Sequence, residues 1–190
     1  MVLIGVLALQ GDFAEHKAKL ASLGAQTIEI RQLKDLEKPL DGLVLPGGES
    51  TVQGKLLADL GLLEPLRERI QQGLPVLATC AGLILLAENV ENQAKRYLGT
   101  LPVTVKRNAY GRQLGSFSSL LDFADLGQVL ATFIRAPYIS EVEDEVEILS
   151  KHQGKIVAAR YRNQIGLSFH PEVDESDSIH SYFLKICQTK

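Results

Sequence analysis

An α/β fold, with a mostly parallel central sheet flanked by helices and extended by antiparallel or mixed strands, is predicted by three features of the sequence. Short apolar runs alternate with amphipathic runs of helical length through the first half of the chain, the pattern of right-handed βαβ crossovers between parallel strands. The first apolar run, Val2–Leu9, is rich in Val, Leu and Ile, as strands buried on both faces are. From about residue 103 onward, short strand-type segments follow one another closely, which predicts antiparallel or mixed pairing there.

Val2–Leu9 reads as the first strand. A helix from about Asp12 to Leu23 follows and stops at Gly24, a residue suited to the position after a helix end. Gln26–Ile30 is a second strand, and Leu43–Leu45 a third that is closed by Pro46-Gly47-Gly48. Helical patterns cover about Ser50 to Leu60 and Glu64 to Gln72, the latter ending at Gly73. Pro75–Thr79 is then a strand and Ala81–Ala87 a helix. The shorter strands expected beyond are Val103–Val105, Gly115–Leu121, Val129–Ile134, Val146–Ser150, Ile156–Tyr161 and Ile165–Phe169. A closing helix from about Ser176 to Cys187 carries Ile179, Phe183, Leu184 and Cys187 at core-facing spacing. No repeat, low-complexity tract or linker interrupts the chain, so residues 1–190 are expected to form one domain.

The composition, 45% hydrophobic and 23% charged over 190 residues, is that of a globular protein with a full core. A net charge of -3 lacks the basic surplus that nucleic-acid binding calls for. Val2–Leu9 is too short to span a bilayer and has no charged leader, so neither a membrane anchor nor a signal peptide is expected. The two cysteines, Cys80 and Cys187, form no CxxC motif. Neither a disulfide framework nor a metal site is indicated, no cofactor is expected, and the reducing cytoplasm is the expected compartment.

Cys80 stands at the carboxyl end of a strand, just before a helix, where ligands of open α/β sheets bind. Ala78-Thr79-Cys80-Ala81-Gly82 approximates the small-x-nucleophile-x-small pattern of a nucleophile elbow. Small neighbours permit the sharp turn, and the helix start offers free N–H groups to an anionic sulfur or to an oxyanion. The alternative is packing, since free cysteine behaves as a small buried hydrophobe. Cys187, on an apolar helix face without such an elbow, reads as packing.

A nucleophilic cysteine needs a base, and the base an orienting group. Of His16, His152, His170 and His180, His170 is set apart by Gly166-Leu-Ser-Phe-His-Pro-Glu172. It ends a strand pattern, and Pro171 turns the chain out of the sheet. In extended backbone Glu172 would share the side of the imidazole and could fix its tautomer. The plainer alternative is a strand ending on a polar loop. His16, His152 and His180 read as solvated or packing residues.

Together, Leu9-Gln-Gly11, Leu45-Pro-Gly-Gly-Glu-Ser-Thr51, Thr79-Cys-Ala-Gly-Leu-Ile-Leu-Leu-Ala87, Arg107-Asn-Ala-Tyr-Gly-Arg-Gln113, Phe133-Ile-Arg-Ala-Pro137 and Phe169-His-Pro-Glu172 resemble the glutaminase subunits of pyridoxal 5′-phosphate synthase. These belong to the class I, or triad-type, glutamine amidotransferases. The resemblance runs from Ile4 to the final helix and implies a flavodoxin-like three-layer sandwich. It implies Cys80 as nucleophile, His170 as general base and acid, and Glu172 as orienting carboxylate. L-glutamine would be hydrolysed to glutamate and ammonia through a γ-glutamyl thioester, with the ammonia passing to a separate synthase subunit. Ala78 stands where the family commonly has Gly, and is still small enough for the turn.

The Gly47-Gly48-Glu49 stretch lies between a strand and a helix, where glycines let an N–H be aimed at an oxyanion. A phosphate loop is excluded, because five residues rather than four separate Gly48 from Gly54-Lys55 and Leu56 stands in place of Ser or Thr. A plain strand-to-helix turn with Ser50 as N-cap is the alternative. The resemblance implies that Gly47, Gly48, Glu49, Arg107, Ile134 and Arg135 contact glutamine, with Gly48 and Ala81 at the oxyanion. Arginine suits a carboxylate grip, although either arginine alone could form a surface ion pair. Arg112 is structural or interfacial in this reading. The resemblance places Gln10, and with it His16, at the synthase-facing region that completes the site on docking. Two rival readings stay open: another cysteine hydrolase of this architecture, such as a γ-glutamyl hydrolase or DJ-1-like protein, and a non-catalytic regulatory subunit.

Overall fold

The computed structural model describes residues 1–108, 110 and 115–189, and its first half alternates strand and helix. Strand β1 (Leu3–Leu7) leads into helix α1 (Phe13–Ser22), which ends at Leu23 with Gly24 at φ +84°, a conformation that favours glycine. β2 (Gln26–Ile30), a 3-10 turn at Leu33–Glu37, β3 (Gly42–Leu45), α2 (Ser50–Asp59), α3 (Leu63–Gln71), β4 (Val76–Thr79) and α4 (Ala81–Leu86) follow. The second half holds β5 (Ala87–Val90), β6 (Leu101–Lys106), β7 (Ser116–Phe123), β8 (Gly127–Ile134), β9 (Tyr138–Val142), β10 (Glu147–His152), β11 (Lys155–Tyr161), β12 (Gln164–Leu167) and α5 (Ser178–Gln188).

The main sheet runs β2-β1-β3-β4-β12-β11-β9-β6-β5, with β10 also paired to β11. The pairs from β2 through β12 are parallel, and β12–β11, β11–β9 and β9–β6 are antiparallel. Four strands thus repeat the flavodoxin-like order 2-1-3-4, and the fifth place is taken by β12, from near the end of the chain. That insertion sets β12 against β4 with Leu167 opposite Thr79.

Side chains alternate across the parallel strands, and both faces are apolar. Leu43, Leu45, Val76 and Ala78 pack with Leu57, Leu66 and Leu83 of α2, α3 and α4. Val44 and Leu77, one position out of phase, pack on the other face with Leu20 of α1 and Phe183 of α5. The β7–β8 hairpin covers that second face with Leu121, Val129 and Phe133, and turns Leu120 and Leu130 to solvent. Burying each such Leu or Phe contributes about 1.5–3 kcal/mol, so the two cores hold the three layers together.

Helix α4 lies close on the sheet because Gly82 has no side chain. A Cβ there would come within 2.7 Å of the Leu45 carbonyl carbon. Two sequence readings are corrected, and one strand that the sequence did not show is added. The helix after Cys80 ends at Leu86, and Ala87 begins a strand; Glu88 and Asn89 had hidden it, but pairing with β6 draws the segment into the sheet. β9, after Pro137 and running into an acidic stretch, is likewise made a strand by pairing with β6 and β11. The N-cap of α2 is Glu49 rather than Ser50, whose buried hydroxyl makes no hydrogen bond among the described residues. Arg112 lies outside the described residues. No helix among them is long and apolar enough to cross a membrane.

Candidate active site

Four parallel strands end side by side, and the segments that follow them build one cleft. Gln10 and Asp12 follow β1, Gly48 and Glu49 follow β3, Cys80 follows β4, and His170 lies three residues beyond β12. The cleft has a volume of about 410 Å³. A larger one of about 570 Å³ lies elsewhere, with Glu88, Glu143, Asp144 and Glu145 on its walls but no cysteine or histidine among its described lining residues.

Cys80 occupies the joint between β4 and α4 at φ 50°, ψ -104°, a region that non-glycine residues enter at an energetic cost and that clusters at functional sites. The parallel pairing holds it there: the Cys80 N–H donates to Leu167 O at 2.8 Å. The residue is only 7% exposed, and its thiol faces the Ile134 carbonyl oxygen at 3.8 Å on the wall of the cleft.

The His170 backbone N–H donates to Thr132 O at 2.8 Å, which anchors the residue to β8. Its Nδ1 lies 2.6 Å from Glu172 Oε1, a charge-assisted bond. The route to that contact differs from the sequence expectation. The chain turns at Pro171-Glu172, with the Val173 N–H closing on His170 O at 3.4 Å. A turn, and not extended backbone, therefore brings the carboxylate onto the ring. Gly47 packs against that ring, and a Cβ at Gly47 would lie 2.5 Å from His170 Cε1.

Burial by itself would lower the pKa of His170, but interactions with the Cys80 sulfur and the Glu172 carboxylate raise it to about 10. The ring is therefore an imidazolium at neutral pH, held between sulfur and carboxylate. Nε2, on the other side of the ring, makes no hydrogen bond of regular geometry among the described residues, and catalytic hydrogen bonds often tighten only when substrate binds. Burial pushes Glu172 above the usual carboxylate range, partly offset by the bond from His170. Asp12, whose Oδ2 lies 3.6 Å from His170 Nδ1, is raised by burial against the opposing pull of His170. Asp12, His170 and Glu172 place ligand-type atoms within 4.8 Å of one another. Because Glu172 already engages Nδ1, the set reads as two carboxylates around one imidazolium.

Gly48, Glu49, Ala81, Arg107, Ile134 and Arg135 also line the cleft. Arg107 is half-buried and its Nη1 donates to Gln93 Oε1 at 3.3 Å, while Arg135 is exposed at φ 46°. Gln10 straps the loop before α2: its Oε1 accepts the Glu49 N–H at 2.8 Å, and Gln53 Nε2 donates to Gln10 O at 3.0 Å. Gly47 is the one expected substrate contact that does not line the cleft.

Sequence reasoning missed what stands behind Glu172. His16, placed by the resemblance in the partner-facing region, is fully buried on the inner face of α1, with Nε2 3.4 Å from Glu172 Oε2 and 3.2 Å from Thr79 Oγ1. His180, read as solvated or packing, is also fully buried, and its Nε2 lies 2.9 Å from His16 Nδ1. The available signal was helical phase: His16 is four residues from buried Leu20, and His180 three from buried Phe183.

The profile of the SNO glutamine amidotransferase family matches residues 6–189. The chain is 61% identical over 181 residues to "Pyridoxal 5'-phosphate synthase subunit PdxT" of Desulfitobacterium hafniense (strain DSM 10664 / DCB-2), covering 95% of this chain and 91% of that protein. It is 56% identical to the protein of the same name from Methanocorpusculum labreanum, over 96% of both. A solved structure described as "Crystal structure of glutamine amidotransferase" superposes with a TM-score of 0.93 at 41% identity, over 98% of this chain and 99% of that one. The structure of PurLQS from Thermotoga maritima, at 15% identity and a TM-score of 0.70 over 96% of this chain and 97% of that one, shares the fold. With the profile spanning nearly its whole length, this chain belongs to the SNO glutamine amidotransferase family.

Proposed function

We propose that this chain is the glutaminase subunit of a pyridoxal 5′-phosphate synthase, hydrolysing L-glutamine and delivering the ammonia to a synthase subunit. The observation that carries the reading is that Cys80 and His170 line one cleft while Glu172 bonds the imidazole Nδ1 at 2.6 Å, with the imidazole raised to about 10 by the other two.

The Cys80 sulfur attacks the carboxamide carbon of glutamine, and the N–H groups of Gly48 and Ala81 receive the oxyanion. The imidazolium of His170 gives its proton to the departing nitrogen, so ammonia leaves and a γ-glutamyl thioester remains. Neutral His170 then takes a proton from water as the water attacks the thioester, and the sulfur leaves as an anion beside the restored imidazolium as glutamate departs. Glu172 fixes the ring tautomer and stabilises the imidazolium throughout. Arg107 and Arg135 suit the α-carboxylate, and Glu49 the α-ammonium group. Side chains and water account for every proton transfer, so this route uses no metal or cofactor. The 190 residues act as one domain, in the cytoplasm, and Gln10 lies where the docked synthase subunit would complete the oxyanion site, which makes activity low alone and higher in the complex.

The test is ammonia release from glutamine, measured with and without the synthase subunit. Cys80→Ala is expected to abolish it, and Glu172→Gln to lower kcat by at least about 100-fold. Covalent labelling by a glutamine-like electrophile is expected to vanish in Cys80→Ser. No ammonia in either condition, or unchanged labelling in Cys80→Ser, would overturn the proposal.

A further inference from the structure

Two histidines with no part in the reaction written above form a buried row behind the triad. His16 projects from α1 and His180 from α5, and both are fully buried. Their rings are joined by the 2.9 Å contact between His16 Nδ1 and His180 Nε2. The opposite nitrogen of His16 faces Thr79 Oγ1 at 3.2 Å and Glu172 Oε2 at 3.4 Å. Oε2 is the carboxylate oxygen that His170 leaves unused, and it has no hydrogen bond of regular geometry among the described residues, so His16 Nε2 at 3.4 Å stands in ion-pair range of an oxygen otherwise unpartnered there. His180 Nδ1, at the far end of the row, has no hydrogen-bond partner among the described residues either.

These contacts select one tautomer for each ring. If His16 carried its proton on Nδ1, its bare Nε2 lone pair would face a carboxylate oxygen. His180 would then hold its proton on Nδ1, a position unpaired in either tautomer, so the carboxylate facing His16 decides between the two. The opposite arrangement leaves a bare nitrogen at the orphan position and a donor at every contact. His180 Nε2–H then donates to His16 Nδ1, and His16 Nε2–H points at Thr79 and Glu172. Both rings are neutral: burial, with His180 and His170 nearby, drives His16 well below the usual histidine range, and burial and Lys19 lower His180 to about 4 against the pull of Asp177.

We propose that His16 is a positioning residue for the glutaminase reaction, its Nε2–H holding the second oxygen of Glu172 while His180 locks the tautomer that makes this donation. An uncharged donor can orient the carboxylate without competing as a cation for the pair that Glu172 forms with His170. The inference rests on the triad reading, because Glu172 must first be the orienting carboxylate.

The groups that face Glu172 are His170, Asp12 and His16, and those that face His180 are His16, Lys19 and Asp177. Losing the His16 donor removes support from the carboxylate form, so Glu172 takes a proton at higher pH and the acid limb of the rate profile moves upward. In the complex with the synthase subunit, His16→Phe is expected to lower kcat about 10- to 100-fold, the effect of one hydrogen bond to a charged group. KM for glutamine should stay within about twofold, since glutamine does not touch this residue. His16→Gln, whose amide can present an N–H near the old Nε2, should recover most of the loss and return the acid limb. In the unaltered chain, histidine ¹⁵N spectra should show both rings neutral with protons on Nε2. A kcat and acid limb unchanged in His16→Phe, a Gln variant no better than Phe, or a proton on His16 Nδ1 would each overturn the proposal. If Glu172→Gln is inactive while His16→Phe is fully active, this inference alone fails; if Glu172→Gln is active, the triad reading fails with it.

Discussion

Gly47→Ala isolates the placement of the His170 ring without touching any reacting atom. The added Cβ would lie 2.5 Å from His170 Cε1 and 3.0 Å from Nδ1, against ordinary contact beginning near 3.4 Å. The ring therefore has to retreat by about 0.9 Å, or the Gly47 loop has to lift by as much. The 2.6 Å bond from Nδ1 to Glu172 Oε1 cannot survive that shift unchanged. Misplacement of a catalytic group by about 1 Å costs on the order of 100-fold in rate, or about 2.7 kcal/mol of barrier. We therefore expect kcat for glutamine hydrolysis in the complex to fall about 100-fold, with KM changed much less. The assay is ammonia release, with thermal unfolding as the check on folding. Gly115→Ala, where a Cβ would meet nothing within 4 Å, is the control and should keep full activity. A folded Gly47→Ala that retains kcat within about threefold would refute the reasoning, because the ring would then not be held where the structure places it.

In Cys80→Ala the two interactions that the sulfur makes with His170 disappear, so the imidazole pKa should drop from about 10 toward 6.5, read by ¹⁵N titration; an unchanged value would disconnect sulfur from ring. Arg107→Ala should raise KM for glutamine about 10- to 100-fold with little effect on kcat, as loss of a charge-assisted contact to bound substrate does; steady-state kinetics at saturating synthase subunit checks this. Gly82→Ala forces α4 off the Leu45 backbone and should destabilise the fold by about 1–3 kcal/mol in denaturant unfolding. His180 has a folded pKa near 4, below the 6.5 of an unfolded chain. Its contribution is fully present above pH 6.5 and is lost as pH falls through 4, a change of roughly 3 kcal/mol. Unfolding free energies measured between pH 7 and 4 should fall accordingly, and less so in His180→Gln.

The local chemistry of the chain was written in its sequence. The inner parallel strands β1, β3 and β4 announced themselves by apolar runs, because a strand covered on both faces has little polar side to show. Cys80 was marked by its small neighbours, and His170 by the proline that stops the strand. Those are short-range constraints on backbone geometry, and a single sequence carries them. Strands β5 and β9 were not legible, since their pairing with distant segments, and not their own propensity, makes them strands. Which side chains meet across 80 or more positions was likewise decided only by folding. The insertion of β12 beside β4 carries His170 to Cys80, and the turn at Pro171-Glu172 closes the carboxylate onto the ring. The packing of α1 and α5 on one face of the sheet turns two ordinary helical histidines into a buried pair behind Glu172. Contacts of this kind depend on sheet order and helix rotation, which a single sequence leaves unspecified.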